Sequence, residues 1–104
     1  MAYYLKTPFF PSGDVFVSPF LIESGIDVSP LLRRHLTGCW GDISPDDAFA
    51  NLQALALGEG ILSQYKVAGT NGIVRTVIIV TEGDRSQTLV FVPGEGGFPV
   101  APEV

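Results

Sequence analysis

The chain of 104 residues is short of most of the side chains on which chemistry is built. It has one cysteine, Cys39, which excludes an intrachain disulfide framework. It has one histidine, His35, and a single Cys and a single His fall short of the ligand set of a zinc site. Basic residues are scarce as well: 6 Lys and Arg stand against 11 Asp and Glu, for a net charge of −5. Such a field repels nucleic-acid backbones and anionic membranes, so neither is the expected partner. No run approaches the ~20 apolar residues of a membrane span. The first residues, from Met1 to Pro11, lack the basic start and unbroken apolar stretch of a secretory signal. Together these absences predict a cytoplasmic protein without membrane contact, cofactor or bound metal.

What is present is apolar. Hydrophobic residues make up 46% and charged residues 16%, enough for a packed core and contrary to the composition of disordered chains. The length fits a single domain, taken as residues 1–93 with 1–13 extended, followed by a Gly- and Pro-rich tail over 94–104.

Three Ser-Pro pairs, at Ser18, Ser29 and Ser44, each offer an N-cap hydroxyl and a proline at the first helical position. Each is followed by a glycine suited to a left-handed stop, which predicts helices over 19–24, 30–37 and 45–57. In the third, Ala48, Phe49, Leu52, Leu55 and Ala56 form one apolar stripe, expected to face the core, with Asp46, Asn51 and Gln53 elsewhere. After Gly60 the pattern becomes extended, predicting strands over 61–67, 73–82 and 86–92, with turns at 68–72 and 83–85. Val77 to Val80 is apolar at every position, so that strand is expected to be central and covered on both faces. A further strand over 14–17 joins the sheet beside a partner the pattern does not specify. The fold class is α+β: short helices on one face of a three- or four-stranded, mainly antiparallel sheet.

Arg34-His35, Gly38, Trp40-Gly41-Asp42, Asn51, Ala54-Leu55, Gly58, Ser63, Tyr65, Thr81-Glu82, Asp84-Arg85-Ser86, Thr88 and Pro93 occur in a distinctive order. That ordered set resembles a family of small bacterial proteins from plasmids, phages and integrated elements, without an established activity. The family pattern reads approximately R-H-x-x-G-x-W-G-D, N-x-x-A-L-x-x-G, S-x-Y and I-T-E-x-D-R-S-x-T. The chain departs from it at Ile78, where a tryptophan is common, and at Ile61, where an arginine is. The resemblance implies a mobile-element setting and assigns no chemistry to any residue.

Two clusters carry what chemistry the sequence offers. His35 and Cys39, followed by Trp40 and Asp42, could pair as nucleophile and base, although a helix ending at Gly38 need not place them on one face. The structural reading makes His35 a hydrogen-bonding group with positive character at a helix C-terminus and Trp40 a buried anchor whose neighbour Asp42 caps backbone amides. Glu82, Asp84 and Arg85 share a turn, where acidic residues serve backbone geometry more often than catalysis. An enzyme would need His35, Asp42, Glu82, Asp84 and Arg85 to converge in one cleft. The favoured expectation is a non-enzymatic, acidic protein that binds a protein partner, a host defence or nucleic-acid-processing factor among them. Trp40, Asp42, Glu82, Asp84 and Arg85 are its candidate contacts. A homodimer through an edge strand or through the aromatics Tyr3, Tyr4, Phe9 and Phe10 is the third reading.

Overall fold

A computed structural model of the chain describes residues 8–69 and 72–94. Tyr3, Tyr4, the middle of the 68–72 turn and the tail after Gly94 lie outside the described residues. The elements run β1 (Asp14–Val17), α1 (Pro19–Ser24), α2 (Ser29–Leu36), α3 (Pro45–Leu57), β2 (Ile61–Ala68), β3 (Val74–Thr81) and β4 (Gln87–Phe91).

Local capping accounts for α1 and α3. The Ser18 and Ser44 hydroxyls accept from the amides of Leu21 and Asp47, and Gly25 and Gly58 close the helices in the left-handed conformation. The second Ser-Pro pair behaves otherwise. Ser29 is already helical, and its amide donates to Asp27 Oδ1 at 3.0 Å. The cap position passes to Val28, which supplies no side-chain acceptor.

The four strands form one sheet in the order β1-β4-β3-β2. β3 pairs antiparallel with both β2 and β4, whereas β1 lies parallel to β4. That makes β4 an interior strand, because β1, which precedes the helical segment in the chain, lies along its outer edge. The register aligns Ser63 with Ile79, Ile79 with Val90, and Thr81 with both Ile61 and Thr88. Those side chains therefore share one face, on which Leu21 of α1, Leu31 of α2, Tyr65, Val77, Ile79 and Val90 form the main core. A second cluster of Phe10, Trp40, Ala54 and Ile61 sits where α3 meets β2. β3 is central: Val77, Ile79 and Thr81 are fully buried, whereas Ile78 and Val80, on the opposite face, are half-buried beside a fully buried Leu89 of β4. The expectation of two covered faces is corrected in part: the helices cover one, and the other is closed at Leu89 but only half-closed at Ile78 and Val80.

Candidate functional site

The helix-bearing face contains a polar interior. His35, Ser63, Thr81 and Thr88 are all fully buried. His35 Nδ1 lies 2.6 Å from Ser63 Oγ, and Nε2 lies 2.8 Å from Thr81 Oγ1. Thr81 Oγ1 is 2.7 Å from Thr88 Oγ1, which donates to the Ser12 carbonyl at 2.7 Å. Each hydroxyl has one proton, so this last bond sets the direction of the others. With its proton committed to Ser12, Thr88 accepts from Thr81, and Thr81 accepts from His35 Nε2–H. Nδ1 is left as acceptor for the Ser63 hydroxyl. A neutral imidazole protonated at Nε2 satisfies every member.

Burial, reinforced by the charge of Arg85, pushes the His35 pKa down to about 4. The expected positive charge at the end of α2 is thus corrected: His35 is a neutral hub between helix and sheet. The Ser63–His35 contact has the form of a nucleophile and its base, but both are sealed from any substrate. Phe10 packs edge-on against the imidazole, at 5.4 Å between ring centres.

Trp40 is 7% exposed and donates from Nε1 to the His35 carbonyl at 3.1 Å, so it is core and cannot anchor a partner. Asp42 is exposed at the β2 edge, where its backbone amide, rather than its carboxylate, bonds to the Gln64 carbonyl. Glu82 accepts from Gln87 Nε2 at 2.7 Å, and Asp84 accepts from the Ser86 amide at 2.9 Å. Hydrogen bonds from Ser86 hold the Asp84 carboxyl below its ordinary pKa, so it stays ionised. The Arg85 guanidinium donates to the carbonyls of Glu59, Glu82 and Ala54, which ties the turn to the end of α3. Glu82, Asp84 and Arg85 therefore meet, as neighbours in one turn; His35 lies in the interior and Asp42 on the β2 edge. Cys39 is exposed and does not join His35. Among the described residues no group of three or more His, Cys, Asp or Glu side chains could hold a metal ion, and no helix is long and apolar enough to cross a membrane. A shallow hollow of about 280 Å³ at the other end of β3, lined by Val74, Arg75, Thr76, Val92 and Pro93, includes none of the candidates.

No family model, curated protein or solved structure matches the chain.

Its surface must then be read from its own geometry, and α3 is the departure from expectation. The buried side of this helix centres on Asn51, 3% exposed, and Ala54. Phe49, Leu52 and Leu57 are 59%, 55% and 67% exposed. The helix is turned by about 100° from the orientation its apolar stripe predicts. The cause is the unpaired edge of β2. Asn51 Nδ2 donates to the Leu62 carbonyl at 2.8 Å and Oδ1 accepts the Leu62 amide at 3.1 Å, so one side chain acts as a strand partner. Two residues on, the Trp40 carbonyl and Asp42 amide engage Gln64 in the same way. Gly41, at φ 79°, allows this approach, since a side chain there would collide with the Gln64 carbonyl and the Tyr65 ring. Closing the edge against stray pairing turns Asn51 and Ala54 inward, with Ala48 and Leu55 of the stripe partly buried beside them, and leaves Phe49, Leu52, Ala56 and Leu57 in water.

Asn51→Leu should therefore lower stability by roughly 2–4 kcal/mol, since two edge groups lose their partners in a half-buried site. A urea midpoint unchanged from the parent would refute this account of α3. Ser63, Thr81, Thr88 and Asn51 were not singled out as a site by sequence reasoning. The signal available was polar residues at core-facing positions of the strands, together with a lone histidine one turn after Leu31 on the apolar side of α2.

Proposed function

We propose that this protein is a small, acidic, non-enzymatic binding module of a mobile genetic element, and that it acts by engaging a protein partner. The observation that carries the reading is the outward apolar side of α3, where Phe49, Leu52 and Leu57 are all more than half exposed. Large apolar side chains clustered in water mark interaction surfaces rather than the ordinary scatter of exposed hydrophobics. The absence of a shared cleft argues against the enzyme reading: His35 is sealed, Arg85 is committed to backbone carbonyls, and Asp42 stands apart on the β2 edge. The contacts thus move from Trp40 and Asp42 to α3 and the neighbouring 82–85 turn.

A photo-crosslinking amino acid at Leu52, compared with one at Lys66 on β2, tests this in cells of the native host. The expected result is a discrete adduct from position 52 that is absent from position 66 and weakened by Phe49→Ser. Equal or no adducts at the two positions would count against the reading.

A further inference from the structure

Resting on that reading, we propose that the α3 face docks as a helix into an apolar groove with a basic rim on a partner protein, and not against a second copy of this chain. Phe49, Leu52, Ala56 and Leu57 occupy the i, i+3, i+7 and i+8 positions by which a helix lays one side into a groove. Ala56 is exposed like the three larger residues.

The charge carried by α3 and the chain that flanks it has one sign. From Gly41 to Tyr65 the chain contains no Lys, Arg or His, while Asp42, Asp46, Asp47 and Glu59 are all exposed. Asp46 and Asp47 mark the first turn of α3 and Glu59 follows its last. The 82–85 turn packs beside this C-terminal end: a side chain at Gly83 would come within 2.6 Å of the Gly58 carbonyl. That contact brings exposed Asp84 to the same end. The basic group there, Arg85, has its guanidinium turned inward to the Ala54 and Glu59 carbonyls.

An apolar stripe with acids at both ends selects its occupant by electrostatics. Two copies meeting through α3 would set Asp46 and Asp47 against Glu59 when antiparallel, and against themselves when parallel. Either pairing opposes like charges. An anionic lipid surface is repelled for the same reason. A groove edged by Lys and Arg meets both the apolar stripe and the acidic ends.

The test uses the full chain and two labelled synthetic 18-residue amphipathic peptides, one of Leu and Lys and one of Leu and Glu with the same apolar spacing. The Leu/Lys peptide should bind at least tenfold more tightly than the Leu/Glu peptide, and severalfold more weakly at 0.5 M salt. Phe49→Ser with Leu52→Ser should weaken it at least tenfold while the melting temperature stays within a few degrees of the parent, because both side chains are exposed. Asp46→Asn with Asp47→Asn and Glu59→Gln should weaken it severalfold. Equal binding of the two peptides, no Leu/Lys binding, or binding indifferent to the Ser substitutions would overturn the proposal. So would a dimer in sedimentation that the Ser substitutions dissolve. A position-52 adduct in cells combined with failure here would retain the binding module and discard the basic-rimmed groove.

Discussion

Ile79→Asp should abolish the cooperative melt, whereas Ile78→Asp should leave a folded protein. The two neighbours lie on opposite faces of β3, and only one face is covered by helices. Ile79 is fully buried among Leu21, Leu31, Tyr65, Val77 and Val90, and its register partners are Ser63 and Val90. A carboxylate there meets no counter-charge. An unpaired buried charge costs several kcal/mol, comparable with the ~5–15 kcal/mol that holds a domain together. Ile78 is half-buried, so an aspartate can turn its head to water at a loss of about 1–2 kcal/mol. Thermal unfolding followed by far-UV circular dichroism separates the two. Loss of folding in both variants would mean that the second face of β3 is as closed as the first.

The same contrast shows what could be read from the sequence. Helix ends were legible where the cause is local: Ser18 and Ser44 cap through amides three residues on, and Gly25 and Gly58 adopt positive φ. Ser29 lies in the same sequence context but enters the helix, because Asp27 competes for its amide. The orientation of α3 was not legible, since it depends on an edge strand that follows it in the chain. An apolar stripe records what a helix can bury, and Asn51 decided what it did bury. β1 lacked a readable partner because its neighbour β4 lies some seventy residues onward, and a short polar-apolar strand says nothing about parallel pairing. The candidate site divides along the same line. The Glu82–Arg85 turn is a local object and was found; the His35 network draws on α2, three strands or their ends, and the Ser12 carbonyl. Many residues of the ordered motif, among them His35, Trp40, Gly41, Asn51, Ala54, Ser63, Tyr65, Thr81, Arg85 and Thr88, make the contacts that join helices to sheet. That pattern specifies a fold. The exposed stripe of α3 contains none of them.

The His35 hub makes stability sensitive to acid. In the unfolded chain His35 titrates near 6.5, and in the folded protein near 4. Above pH 6.5 both states hold a neutral imidazole and the network is intact. As pH falls from 6.5 toward 4 the unfolded state gains a proton that the folded state refuses, so stability declines. The slope is about 1.4 kcal/mol per pH unit, or roughly 2 kcal/mol lost by pH 5 and about 3 by pH 4. Below pH 4 this contribution levels off, because both states are then protonated. The folded cation is disfavoured for a second reason, in that Nδ1 would turn from acceptor to donor and the Ser63 hydroxyl would lose its acceptor. His35→Gln removes the titration while retaining a group that can both donate and accept. The variant should be less stable at pH 7, yet its urea midpoint should change little between pH 7 and pH 5, where few carboxylates titrate. The parent should lose ground steeply over the same interval. A parent midpoint that is flat from pH 7 to pH 5, or one that falls in parallel with the variant, would show that His35 is not the group the fold keeps neutral.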